Sequence, residues 1–374
     1  MPVPLSVLDL SPIVSGQTAK EALHHTLDLA RRTEEFGYRR YWVAEHHLTA
    51  GVASAAPAVL LTAIAGATST IRVGSAAVLL GQHSPLTVAE QFGTLAQLHP
   101  GRVDLGVGRS GKKRTRELAE RLTAPARDEG STVDGLVVPS KPRAVARSEH
   151  YAARLRQQAE LVGAPAEELD YREQVARVRQ FLDGGFPGPD GEPVRAQPAE
   201  GADLDLWILG SSGGESAVTA GTLGIPFAAS YHITPATVLE TVESYRENFV
   251  ASDRLDRPYV VVSADVVVAD STERARELAS PYGAWVHSIR AGAGAIPYPS
   301  PAEAAGFPWD EEAREIVADR LATQFVGTPE EVTDRLVTLQ EVTGADELVV
   351  TTITHDHADR VRSYELLAKS WNRG

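Results

Sequence analysis

Tyr41-Trp42-Val43-Ala44-Glu45-His46-His47 reads as a short buried strand ending in a carboxylate and two imidazoles. A strand end is a rigid mount for side chains, and His is the side chain that most readily changes charge near neutral pH. Neighbouring strand residues point to opposite faces, so at most one of His46 and His47 should project straight into a pocket. What surrounds the stretch decides the fold. Upstream, residues 6–10 form a first strand. Thr18-Ala19-Lys20-Glu21 then resembles a capping box opening a helix to about Phe36, with Gly37 as its stop. Downstream come a helix at 57–68, a strand at 71–79, a helix begun by Ser84-Pro85, and a strand at 102–107.

The alternation breaks over about 108–203, where basic, Pro-containing and Gly-rich segments surround one expected helix at 171–182. It resumes with strands at 204–209, 226–230, 260–269 and 347–352. Helices separate them, opened by Thr234-Pro235, Asp270-Ser271-Thr272-Glu273 and Thr328-Pro329-Glu330-Glu331, and a second irregular stretch covers about 292–308. Eight nearly continuous apolar strands with helices between them imply a parallel sheet covered on its outside. Eight is the number that closes a (β/α)8 TIM barrel. The expectation is therefore an α/β protein, a single domain over 1–374, with insertions after strands four and seven acting as lids. An open doubly wound sheet is the alternative. In both, ligands sit at the carboxyl ends of the strands.

Composition narrows the partners. Among 374 residues, 43% are hydrophobic and 23% charged, as in an ordinary folded chain. A net charge of −14 argues against nucleic acid or an anionic membrane. No cysteine is present, which removes disulfides and thiolate chemistry. No apolar run approaches the roughly 18 residues of a membrane span. No secretory leader is visible in Met1-Pro2-Val3-Pro4-Leu5, so the expected location is cytoplasmic.

Four places after strands carry candidate chemistry. Glu45-His46-His47 suits acid–base work; a metal would need partners such as His355 and His357, but Asp356 reads equally well as a helix cap, and no metal site is assigned. Gly106-Val107-Gly108-Arg109-Ser110-Gly111 matches GxGxxG, yet it follows the fourth strand and lacks the acid of a dinucleotide fold. Arg109, with Lys112, Lys113, Arg114 and Arg116 beside it, suits a phosphate. Gly210-Ser211-Ser212-Gly213-Gly214 fits two readings. One is a hydrolase elbow with Ser212 as nucleophile and His355 as base. The other is an anion site at a helix N-terminus using Ser211, Ser212 and Ser216. Gly74-Ser75-Ala76-Ala77 offers small residues against which a flat ring can lie.

Together these places resemble the bacterial luciferase-like family of flavin-dependent monooxygenases. The likeness runs through 42–47, 73–80, 101–109, 209–212, 216–217, 223–227, 327–331 and 351–357. It implies a barrel that binds reduced FMN, often as a homodimer, with a separate reductase supplying the flavin and O2 oxygenating a small organic substrate. It implies that His46 is the acid–base group with Glu45 supporting it, and that Ala76-Ala77 is a peptide, sometimes cis, beneath the ring. Arg109, Ser211, Ser212 and Ser216 would hold the phosphate. Three alternatives remain: an F420-dependent dehydrogenase or reductase on the same scaffold, a flavin-binding protein without catalysis, and the Ser212 hydrolase.

Overall fold

Each barrel strand coincides with one of the apolar runs. The computed structural model describes residues 3–110, 130–141, 161 and 169–372. The strands are β1 (Leu5–Asp9), β2 (Arg40–Val43), β3 (Arg72–Ser75), β4 (Val78–Leu79), β5 (Val103–Gly108), β6 (Ser131–Val133), β7 (Leu136–Val138), β8 (Leu204–Gly210), β9 (Phe227–Ser230), β10 (Val260–Val268), β11 (Phe325–Gly327) and β12 (Glu347–Thr351). The order β1-β2-β3-β5-β8-β9-β10-β12 is parallel throughout, and β12 returns to β1, closing an eight-strand barrel. No described helix is long and apolar enough to cross a membrane.

Local signals account for the helix ends. Thr18 and Thr328 form full capping boxes with Glu21 and Glu331. Ser84 stands at its expected N-cap but makes no side-chain cap bond. The expected box at 270–273 shifts by one: Ser271 is the cap, accepting from the Arg274 N–H.

The expected strand at 71–79 is two strands, β3 and β4, because the chain turns at a cis peptide between Ala76 and Ala77. Gly106 and Gly108 of the GxGxxG stretch serve this junction, and Gly111 lies outside the described residues. A Cβ on Gly106 would lie 1.9 Å from the Ser75 carbonyl oxygen, so glycine there lets two strands approach rather than cradling a pyrophosphate.

The insertions also differ from expectation. Helix Tyr171–Asp183 is the outer helix of the fourth repeat: Tyr171, Val175, Val178 and Phe181 lie in the main core. Four helices fill the excursion after β10, at Thr272–Ala279, Tyr282–Arg290, Pro301–Ala305 and Glu311–Thr323. The stretch 292–308 within it is anchored. Tyr298 bridges to Val14 and is fully buried, and Trp285, Val52 and Ile353 share its core.

Strand alternation splits the barrel residues by face. Val7, Tyr41, Val43 and Val73 join the core beneath the helices, whereas Leu8, Trp42, Ala44 and Val349 face inward. The amino-terminal floor is a closed ionic cluster. Arg40 donates to Asp104 at 2.8 Å and to Glu347 at 3.1 Å, Arg72 pairs with Asp104 at 2.6 Å, and Trp42 Nε1 donates to Asp104 at 2.9 Å. Arg40 is 3% exposed, and both acids are fully buried.

Candidate active site

The carboxyl ends of the strands surround a cavity of about 420 Å³. On β2 and its extension the lining residues are Trp42, Ala44 and His46, two apart, as pleat alternation requires. Val43, Glu45 and His47 point the other way. Sequence alternation thus picks out His46 from the histidine pair.

Glu45, expected beside His46 as a catalytic group, is absent from the cavity wall. It is a buried hub behind the wall. One carboxylate oxygen contacts both His47 Nε2 and His83 Nε2 at 2.7 Å, and the other accepts the Leu79 N–H at 2.8 Å. Burial alone would raise its pKa, but the hydrogen bonds from His83, Leu79 and His47 outweigh it and hold the carboxyl below its usual range. Glu45 thereby ties the end of β2 to β4, across the Ala76–Ala77 peptide that forms the next part of the wall.

His46 opens onto the cavity rather than into the core. Protein nevertheless surrounds the ring, and this burial, followed by repulsion from His47, lowers its pKa to about 4. His232, two residues past β9, lies on the same cavity wall, and its Nδ1 contacts Ser263 Oγ. Burial and the charges of Arg320 and His46 lower its pKa to about 3. Both imidazoles are therefore neutral at pH 7.

At one end of the cavity stand Arg109, Ser211, Ser212 and Ser216, together with the backbone of Gly108 and Gly210. Helix Glu215–Thr222 begins here, and its N-cap, Gly214, makes no side-chain cap bond. The first backbone N–H groups of a helix and its positive dipole end suit an anion. Arg109 Nη1 pairs with Glu215 at 2.6 Å. The expected basic partners Lys112, Lys113, Arg114 and Arg116 lie outside the described residues.

At another part of the wall, Asp265 on β10 accepts from Arg320 Nη2 at 3.1 Å and from the Tyr282 hydroxyl. Arg320 Nε donates to that phenol oxygen at 3.0 Å. Burial raises the Asp265 carboxyl above its usual range, against the opposing pull of Arg320 and Tyr282. A protonated Asp265 would leave a buried guanidinium without a counter-charge, the costlier arrangement, so the pair is ionised.

The rival uses of the histidines and serines are not assembled. His355 contacts the Ser15 carbonyl at 3.1 Å, and His357 contacts Asp28 at 2.9 Å while stacking on His25. Asp356 caps helix His357–Trp371. The base proposed for a Ser212 nucleophile is thus engaged elsewhere, and no described histidine bonds to Ser212. Sequence reading missed His232, His83, Asp265 and Arg320. Two of them carried a signal: His232 follows a strand as His46 does, and Ser263 and Asp265 stand two apart in the apolar run of β10.

The cavity is suited to a long ligand with an anionic end. It is flat and apolar along Ala76, Ala77 and Leu209, and it ends at a cation and a helix N-terminus. Residues 3–347 match the family model described as luciferase-like monooxygenase. The chain is 40% identical to the Bacillus subtilis protein YvbT, with 98% of this chain and 96% of that one covered. It is 36% identical to an Escherichia coli luciferase-like monooxygenase, with 97% and 96% covered. Among solved structures, apo-MsnO8 matches with a TM-score of 0.77 at 32% identity, over 99% and 98% of the two chains. Two more distant barrels show the fold alone. The oxygenating constituent of a Pseudomonas putida 3,6-diketocamphane monooxygenase, in complex with FMN, has a TM-score of 0.60 at 18% identity, with 99% and 97% covered. An F420-dependent secondary alcohol dehydrogenase has a TM-score of 0.60 at 16% identity, with 99% of both chains covered. The family-model match and the near full-length likenesses agree: this chain is a member of the luciferase-like monooxygenase family.

Proposed function

We propose that the chain is the oxygenase half of a two-component flavin-dependent monooxygenase, using reduced FMN and O2 to oxygenate a small organic substrate. The observation that carries this reading is one cavity that unites a neutral imidazole, a flat apolar wall and an anion-binding end. When bound, reduced FMN supplies the electrons and the oxygen-activating chemistry. The protein's own groups do the rest. Arg109, Ser211, Ser212, Ser216 and the N–H groups opening helix Glu215–Thr222 hold the phosphate. Ala76, Ala77 and Leu209 give the ring an apolar bed. His46, kept neutral, accepts or donates a proton at the mouth of the barrel, and general acid–base help of this kind contributes roughly 10²–10⁴-fold. Glu45 is a positioning residue. A separate reductase in the cytoplasm would supply the reduced flavin, since Gly106 and Gly108 of the GxGxxG stretch are used within the barrel wall.

Anaerobic titration with reduced FMN, followed by admission of O2, tests the reading. Micromolar binding is expected, with oxygen uptake coupled to substrate oxidation. Arg109→Ala should weaken FMN about tenfold or more and leave riboflavin unchanged, because only FMN carries the phosphate. Turnover without oxygen, with F420 in place of FMN, would replace the monooxygenase by a dehydrogenase or reductase. Failure of both cofactors to bind would remove the function.

The active form is proposed to be a homodimer. Helix Pro57–Ala67 buries Leu61 and Ile64 yet leaves Val59 74% exposed, and Leu98 at the end of helix Pro85–Leu98 is 63% exposed. Light scattering should give twice the chain mass for the wild type and the single mass for Val59→Glu.

A further inference from the structure

The cavity has a second polar wall that the phosphate end and His46 do not use. Ser230 on β9, His232 just beyond it, and Ser263 and Asp265 on β10 face inward, and Arg320 reaches in from helix Glu311–Thr323. Ser263 has one hydroxyl proton and two places to send it: His232 Nδ1, a very short contact, or the Ala229 carbonyl at 3.4 Å. With the proton sent to Nδ1, the hydrogen of the neutral imidazole sits on Nε2. His232 Nε2 has no protein partner among the described residues. Arg320 uses Nε and Nη2 on Tyr282 and Asp265 and leaves Nη1 without a partner among those residues. The wall thus presents two N–H donors and no unpaired charge, since Asp265 already balances Arg320. Around them the lining is apolar, with Leu10, Ile233, Trp285, Ile289, Val349 and Ile353.

We propose that the His232–Arg320 wall is the substrate-recognition site, and that it takes an uncharged organic molecule with an apolar body and one acceptor oxygen, such as a carbonyl, held by His232 Nε2–H and Arg320. An anion of the same shape is disfavoured because Asp265 has spent the only cation on this wall among the described residues and a buried unpaired charge is costly. The inference rests on the flavin reading only in assigning the phosphate-holding part of the cavity to the cofactor.

Three probes of equal chain length test it: octan-2-one, octanoate and octane-1-sulfonate. Their binding is followed by calorimetry and by the fluorescence of Trp42 and Trp285, with and without FMN. The ketone should bind wild type about tenfold or more tighter than either anion. His232→Ala should weaken the ketone about tenfold, His232→Gln should restore part of that affinity through its amide N–H, and FMN affinity should stay within about twofold in both. Asp265→Asn, checked for folding by its melting curve, frees the charge of Arg320 and should raise sulfonate affinity about tenfold. The inference is overturned if the anions bind wild type as well as the ketone, if none of the probes binds, or if His232→Ala leaves ketone binding unchanged. Loss of FMN binding with ketone selectivity intact would sink the flavin reading and spare this one.

Discussion

At the floor of the barrel Arg40 touches Asp104 and Glu347, with Arg72 behind them, and every charge meets its opposite. At the mouth His46 and His232 share one cavity as neutral rings, and His232 keeps an unengaged nitrogen. Both ends bury ionisable groups at the strand ends of the same barrel. The floor satisfies them with counter-charges within 3.1 Å. The mouth gives its imidazoles no counter-charge, which lowers their pKa values and leaves His232 Nε2 to a ligand. A buried, fully paired cluster is a structural device, whereas desolvated groups left open to a cavity are what chemistry uses.

The largest effect should come from breaking the floor. Arg40→Ala strands two buried carboxylates, and breaking such a cluster costs about 3–5 kcal/mol. A denaturant midpoint lowered by much less would mean that the floor is not the structural anchor described. The mouth should behave oppositely. His46→Ala should lose about 10²-fold or more in turnover, with a stability change within about 1 kcal/mol. Steady-state kinetics and urea melts on one preparation would show the split, and unchanged turnover would remove His46 from the reaction.

Glu45→Gln sits between the two extremes, because Glu45 is buried like the floor yet serves the mouth. Gln cannot draw in both His47 and His83 as the carboxylate does. A loss of about 1–3 kcal/mol should accompany a roughly tenfold fall in turnover, with the pH profile of kcat unshifted. A shifted profile would show that Glu45 exchanges the proton itself.

A further effect is in the pH dependence of stability. His46 and His232 have folded pKa values lowered from 6.5 to about 4 and about 3. The unfolded chain therefore binds protons that the fold does not, once pH drops below the unfolded value. Stability from these groups is full above about 6.5 and falls as pH drops toward 4. The double variant His46→Gln, His232→Gln should show a shallower loss over that window in urea melts than wild type. Equal slopes would mean that the rings are not held neutral.

The eight strands were legible because a parallel barrel strand is covered on both faces and reads as an apolar run. His46 was legible for the same geometric reason: two-residue alternation carries Trp42 and Ala44 into the cavity and His46 with them. The partners of Glu45 were not legible, because alternation says which side a residue faces but not what waits there. His83, its main partner, comes from a turn 38 residues on. Arg320 gave no local signal. It lies in a helix of mixed polar and apolar residues without a marked apolar face, and only the packing of that helix over the mouth brings it to Asp265, 55 positions earlier.

The sequence by itself determined the barrel, the end of it that binds, and the side chains mounted on its strands, because periodicity and strand direction are local properties of the chain. Tertiary structure alone decided which ionisable groups are paired and which stand neutral. That depends on desolvation and on partners from remote segments, as where Glu347 meets Arg40 across 307 residues. The same buried chemistry thereby became scaffold at one end of the barrel and a candidate site at the other.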